Sequence, residues 1–337
     1  MRIVKLFILA LLILIAVILI SGLILPRDYL MEKTIVISAP KELVFEHVRY
    51  WRNWDAWSPW IEMDSLMVSK IEGTDGEVGS AYSWVGDPKV TGKGEMKTTA
   101  IKDNEEMAYH THFYHPWERE SDGYLRLVDE AGAVKVVWAF YGTTPFPWNV
   151  GMLFVNLDDV VGKDFERGLV RLKQLCETEA TEISKYQISE IEFSGRNYAA
   201  IRSTVAFSDI QNFMTASFGE IQQTMKQKGM RMVGAPVGLY FFWDMPNNST
   251  EMAAGIPITG SIDAGNVQTI TVEAGRALTV DYYGPYDKSQ FAHMAMDFYM
   301  KRNALTQKAI VLEEYITDPM TESDSSKWLT KIIYFVQ

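Results

Sequence analysis

The stretch AIVLEEYITDP, Ala309 to Pro319, reads as a strand, with Ile310-Val311-Leu312 on one side of two adjacent carboxylates and Tyr315-Ile316 on the other. Successive strand residues point to opposite faces, so Glu313 and Glu314 cannot share an environment. The even-numbered face, Ile310, Leu312, Glu314 and Ile316, is the more aliphatic and is expected to pack on helices. The odd-numbered face, Val311, Glu313 and Tyr315, joins a carboxylate to an aromatic ring, as the wall of a ligand cleft does. The alternative is that both glutamates are solvated on an edge strand.

The strand closes the second of two copies of one pattern. SEIEFSGRNYAAIRSTVAFSDIQNFMTASFGEIQQTMKQKGMRMVGAPVGLYFFW gives strand, turn, helix, glycine, strand, and QTITVEAGRALTVDYYGPYDKSQFAHMAMDFYMKRNALTQKAIVLEEYITDP gives the same order. Two such units laid side by side would cover each other's apolar faces and leave a cleft between them. In LYFFWD, Leu239–Asp244, strict alternation puts Tyr240 and Phe242 on one face and Phe241 and Trp243 on the other, with Trp243 the candidate for the cleft. DYYGPYD adds Tyr282, Tyr283 and Tyr286, whose ring faces attract cations and whose hydroxyls orient polar ligands.

The residues YYGPYDKSQFAHMAMDFY, VLEEYITDP and SSKWLTKIIYFV resemble the GyrI-like effector-binding family over about residues 184–337. The resemblance implies a duplicated strand-helix-strand domain that binds small molecules. It gives Glu313 the place of the family's functional glutamate in an aromatic-lined pocket for cationic, hydrophobic ligands. In hydrolytic members that carboxylate assists attack by water. Regulators of this kind also carry a helix-turn-helix DNA-binding domain; this chain has a different N-terminal half, so a transcription-factor role is not inherited.

That half opens with LFILALLILIAVILISGLIL, Leu6 to Leu25, an uncharged run long enough to cross a bilayer as a helix. Arg2 and Lys5 precede it and favour an N-terminus held in the cytoplasm, with the rest of the chain on the extracytoplasmic side. A cleaved signal peptide is the competing reading, but SGLILPRDY is a poor cleavage context. An alternating strand at Glu32–Pro40 follows, then KELVFEHVRY with Leu43, Val44, His47 and Val48 on one helical face, then WRNWDAWSPW. Short alternating segments broken by Gly and Asp turns run to about residue 141. A long amphipathic helix then carries Val161, Phe165, Leu169, Leu172 and Leu175 as its stripe. ISAPKELVFEHVRYWRNWDAWSPW and GKDFERGLVRLKQLCE resemble the polyketide-cyclase/START-like (SRPBCC) superfamily, the helix-grip fold. That implies an antiparallel sheet gripping a C-terminal helix, and it is silent about substrate. The tryptophans resemble that family's packing motif; the alternative is that one or two touch the membrane interface.

The expected architecture is therefore α+β in three parts: an anchor over 1–28, a START-like domain over 29–180 and a GyrI-like domain over 184–337. The formal net charge is -11, and because Arg2, Lys5 and Arg27 are the only charges before Asp28, the remainder is more acidic still. That balance, with no Lys/Arg-dense run, argues against nucleic acid as a partner. The single cysteine, Cys176, excludes an intrachain disulfide and any multi-cysteine metal site. His110 and His112 share a strand face but lack a third ligand at fixed spacing, so no metal site is assigned. No phosphate-binding glycine loop, G-x-S-x-G elbow or H-E-x-x-H occurs, and nothing calls for a cofactor. The sequence carries no signal of oligomeric state. It points to a membrane-tethered binding protein for a hydrophobic small molecule, with Glu313, Tyr315, Tyr282, Tyr283, Tyr286 and Trp243 as ligand residues. The rival expectations are a hydrolase using Glu313, and a lipid or isoprenoid carrier working through the START-like cavity.

Overall fold

The computed structural model describes residues 2–245, 247–317 and 320–337, apart from the side chain of Ala309. Asp318 and Pro319, the Asp-Pro of the GyrI-like resemblance, lie outside the described residues. The chain forms two compact units, divided between Ala180 and Thr181.

The first unit begins with α1 (Arg2–Ile24), uncharged after Lys5 and long and apolar enough to cross a membrane. β1 (Asp28–Ile37), α2 (Lys41–Arg49), α3 (Trp51–Trp54) and α4 (Pro59–Met63) follow. Then come β2 (Val68–Glu72), β3 (Ala81–Val85), β4 (Lys93–Lys102), β5 (Glu106–His115), β6 (Arg119–Glu130) and β7 (Ala133–Thr143). These strands make one antiparallel sheet in the order β1-β7-β6-β5-β4-β3-β2. Ala131 and Gly132, at φ +48° and +87°, form the two-residue turn between β6 and β7. Two positive φ values in succession match the right-handed twist of the strands they join.

After one π-helical turn, Asp158–Gly162, the chain enters α5 (Lys163–Ile183). Phe165, Leu169, Leu172 and Cys176 are its buried stripe. The last stripe position thus falls on Cys176, with Leu175 only half-buried, because the real period is nearer 3.6 than 3. Burial pushes the Cys176 thiol far up from its ordinary value.

The core of this unit is aromatic. Trp51, Trp54, Trp57 and Trp138 are all essentially inaccessible. Trp138 stacks on Phe165 of α5 with centroids 4.0 Å apart, and Trp57 meets Trp138 edge-on at 5.2 Å. Indole nitrogens find partners: Trp54 donates to the Val48 carbonyl at 2.9 Å and Trp138 to the Tyr109 hydroxyl at 2.8 Å. WRNWDAWSPW is therefore core material, not a membrane-interface segment. A lipid or isoprenoid chain between the sheet and α5 would have to displace these rings. His110 and His112 pair instead with carboxylates, Asp122 at 2.9 Å and Glu118 at 3.3 Å.

The second unit contains β8 (Ser189–Phe193), β9 (Arg196–Ala206), α6 (Ile210–Gln227), β10 (Val237–Asp244) and β11 (Ser249–Ile258). A two-residue β12 (Asp263–Ala264) and β13 (Val267–Val272) follow, then β14 (Gly275–Tyr283), α7 (Gln290–Arg302), β15 (Gln307–Tyr315) and β16 (Leu329–Val336). All nine strands join one sheet, β12-β13-β9-β11-β10-β15-β16-β14-β8. The two copies meet at its centre, where β10 runs antiparallel to β15 with Leu239 opposite Leu312. The outer strands are exchanged. β8 opens the first copy yet pairs with β14 of the second, and β13 opens the second yet pairs with β9 of the first.

The two faces of the sheet build different cores. Met214, Ile221 and Met225 of α6 and Ala292, Met296 and Met300 of α7 pack on the face that holds Tyr240, Val311 and Tyr334. The opposite face gathers Phe193, Tyr198, Leu239, Leu312 and Phe335. This reverses the expected assignment for β15: the odd-numbered face meets the helices, and the more aliphatic even-numbered face joins the second cluster. Aliphatic content identified a buried face but could not say which, because both faces of this strand are buried. Nor is β15 an edge strand.

Candidate functional site

Glu313 and Glu314 are 8% and 9% exposed, so neither is solvated. Glu314 looks to the second cluster and takes Arg196 Nη1 at 2.7 Å. A buried carboxylate with a guanidinium partner is a satisfied structural pair. Glu313 looks to the helix side, where among the described residues no Lys or Arg meets it; its hydrogen bonds come from hydroxyls and an imidazole.

Tyr315 donates its hydroxyl to Glu313 Oε2 at 3.1 Å, and Tyr240 donates to the same oxygen at 3.4 Å. His293 Nε2 lies 3.0 Å from Oε1, and His293 Nδ1 lies 2.9 Å from the Tyr334 hydroxyl. Toward an ionised carboxylate, which only accepts, Nε2 is the donor, and when the ring is neutral Nδ1 accepts from Tyr334. The chain Tyr334, His293, Glu313 thereby runs from β16 through α7 to β15. Burial pushes the Tyr315, Tyr240 and Tyr334 hydroxyls well above the ordinary tyrosine value, and the Glu313 charge reinforces each. Tyr315 and Tyr240 remain neutral donors for that charge, and Tyr334 a neutral partner of His293.

Local sequence explains the arrangement. Gly238 stands opposite Glu313 in the β10–β15 ladder. A Cβ there would come within 2.7 Å of the Tyr315 hydroxyl and 3.0 Å of the Tyr240 ring. Glycine makes room for both rings over the strand. Next, the register of β10 against β11 shifts between Tyr240 and Phe242, a bulge at Phe241. One extra residue reverses the alternation. Trp243 therefore does not share a face with Phe241, as strict alternation predicted; it stacks on Tyr240 with centroids 5.1 Å apart and planes 10° from parallel.

The rings continue outward. Phe207 meets Trp243 at 5.6 Å, Tyr286 meets Tyr315 at 5.0 Å, and Tyr286 meets Trp328 at 5.1 Å. Trp243 and Tyr286 are partly exposed, so the aromatic wall runs from the buried carboxylate to the surface. Of the residues singled out from sequence, Glu313, Tyr315, Tyr286 and Trp243 come together here. Tyr282 and Tyr283 do not. Tyr282 is a core residue of the helix side whose hydroxyl donates to the Pro285 carbonyl at 2.7 Å, and Tyr283 is exposed. Alternation along β14 separates them.

Sequence reasoning missed His293, Tyr240 as a donor, Tyr334 and Trp328. His293 had a signal: with Met296 and Met300 it lies on the buried stripe of α7 at helical spacing. Tyr240 had one too, since it follows Leu239 as Glu313 follows Leu312, and so holds the carboxylate's position in the first copy.

This geometry is a buried, hydroxyl-held carboxylate at the base of an aromatic wall, on the seam of a duplicated sheet. Residues 186–336 match the GyrI-like small molecule binding domain. Among curated proteins none matches the chain. Solved structures similar to it include the C-terminal domain of EcmrR, at 21% identity and TM-score 0.42 over 45% of this chain and 98% of that one. A hydrolase encoded by lin2189 from Listeria innocua shows 13% identity and TM-score 0.34 over 45% of this chain and 92% of that one. SAV2435 bound to tetraphenylphosphonium shows 17% identity and TM-score 0.33 over 45% of this chain and 94% of that one. The GyrI-like unit thus spans residues 186–336 and carries Glu313 at the junction of its two copies.

Proposed function

We propose that the GyrI-like unit binds a hydrophobic, cationic small molecule at Glu313, and that α1 tethers the protein to a membrane with both units on the extracytoplasmic side. The observation that carries the binding reading is that, among the described residues, buried Glu313 is held by hydroxyls and an imidazole, with no Lys or Arg beside it, while its neighbour Glu314 has an arginine. A carboxylate in a low-dielectric setting favours a cation. The rings of Trp243, Tyr286 and Tyr315 offer that cation an apolar and quadrupolar wall. For the N-terminal unit, the order of strand, helix, sheet and long helix supports a helix-grip reading.

The test is a thermal-shift comparison on the chain from Asp28 onward, using tetraphenylphosphonium and the neutral triphenylphosphine oxide. A ligand at a hundred times its dissociation constant stabilises by about 2.7 kcal/mol. The cation should raise Tm, the neutral compound should not, and Glu313→Gln should remove the shift while Tyr283→Phe retains it. Equal shifts from both compounds, or a shift that survives Glu313→Gln, would rule the reading out.

One observation favours a second reading, a hydrolase. His293, held by Tyr334, gives Glu313 an orienting partner that the sequence alone did not reveal. A carboxylate so paired can take a proton from water. Turnover abolished by both Glu313→Gln and His293→Gln would support it.

A further inference from the structure

The base of α1 is built into the first unit. Asn149, almost wholly buried, donates through Nδ2 to the Gly22 carbonyl at 2.9 Å and the Leu25 carbonyl at 3.1 Å. These are carbonyls at the helix end, which lack partners within the helix. Gly22 packs against the Phe146 ring, where a Cβ would sit 3.0 Å away. The helix end and the segment that follows β7 are thus one piece of structure.

That segment is apolar on its outside. Trp148 is 74% exposed and Phe154 86% exposed, with Leu153 between them also bare. A further tryptophan, Trp117, is 81% exposed in the turn between β5 and β6. Sheet register puts that turn at the α1 end: Asp28 pairs with Thr143 at the end of β7, and β6 begins at Arg119 beside the same end. Large exposed rings gathered at one end of a sheet are unusual for a surface bathed only in water. They lie level with the end of a span of about 34 Å, the length of 23 helical residues. Tryptophan concentrates at that depth, where its ring is buried and its N–H stays wet. The rim carries both signs, Arg27 and Arg119 beside Asp28 and Glu118, so apolar contact and not net charge decides the partner.

We propose that this end of the N-terminal unit is a bilayer-seating surface. Trp148, Leu153 and Phe154 enter the interface beside α1, Trp117 enters from the β5–β6 turn, and the sheet is held at a fixed angle to the membrane. The inference rests on the reading of α1 as a span. It adds that the unit sits on the lipid instead of swinging from a tether.

The experiment uses the full chain in phosphatidylcholine vesicles containing one lipid with a nitroxide near the headgroup and another with a nitroxide at the end of its acyl chain. Environment-sensitive fluorophores are attached singly to Val155→Cys, Glu118→Cys, Ile13→Cys and Val128→Cys; buried Cys176 stays unlabelled. The first two leave the rings in place, Ile13 reports the span, and Val128 lies toward the opposite end of the sheet. Quenching at 155, 118 and 13 but not at 128 is expected. Replacing Trp117, Trp148 and Phe154 together by Ser should abolish it at 155 and 118 and leave it at 13. Quenching at 13 with none at 155 and 118 would overturn the seat and keep the span. No quenching at 13 would overturn both. A blue-shifted but unquenched signal at 155 and 118 would mean protein covers this face, most simply a second copy, and would also overturn the seat.

Discussion

Glu313 has its environment set by Tyr315 two positions along its strand, by Tyr240, His293 and Tyr334 from elsewhere in the sequence, and by one missing methyl group. Gly238→Ala tests that missing group. The added Cβ would press on the Tyr315 hydroxyl and the Tyr240 ring, and overpacking of this kind costs about 1–3 kcal/mol. The rings can escape only by giving up Glu313, so the cation-dependent Tm shift should fall even if the melting temperature of the free protein falls little. An unchanged ligand shift would show that neither hydroxyl matters to binding. At this scale the sequence was half legible. Glu313 and Tyr315 follow from alternation on a regular strand, and Glu314 is separated from them by the same rule. Trp243 was put on the wrong face, because a bulge is one residue of backbone that leaves no mark in a hydrophobic pattern. His293 lies on a helical stripe where an imidazole looks like one more core residue until its partner on another strand is known.

Among the elements, α3 and its flanking residues do for the first unit what β10 and β15 do for the second. WRNWDAWSPW sends Trp51, Trp54 and Trp57 into one layer between sheet and α5, each ring against the next. Trp54→Ala should cost about 3–5 kcal/mol in denaturant unfolding, since the cavity is walled by rings that are themselves braced. Trp117→Ala, on the exposed turn, should leave the unfolding midpoint unchanged in detergent. Existence and order of elements were well marked in the sequence by alternation, glycine turns and the long helical stripe. Which face of β15 meets helices was not, because a central strand buried on both sides offers no polar face to orient it. The exchange of β8 and β13 was also hidden: a repeat shows what each copy contains, not which copy its first strand joins.

Across the molecule, many tyrosines are held above their ordinary value of 10.0. Tyr198 and Tyr282 are pushed up to about 12 by burial, and Tyr240, Tyr315 and Tyr334 are pushed higher. In an unfolded chain these hydroxyls lose their protons near 10.0 while the folded chain keeps them. Above that pH the unfolded state binds fewer protons, so stability falls as pH rises. Thermal melts should be flat in this respect below pH 10.0 and decline steadily toward about 12, with absorbance of tyrosinate rising together with unfolding. Tyrosinate appearing near 10.0 without loss of structure would mean that these rings are wetter than their burial implies.

The exchange of outer strands also has a consequence for how the protein is made. β8 ends at Phe193, and the strand it needs begins with Gly275. Roughly 80 residues separate them, about 4 to 16 s of synthesis at ordinary translation rates. Throughout that interval β8 has left the ribosome without its partner, and the first copy has not yet received β13. Neither copy therefore holds all the strands of its own half of the sheet. A nascent chain halted between the copies holds one strand too many and one too few.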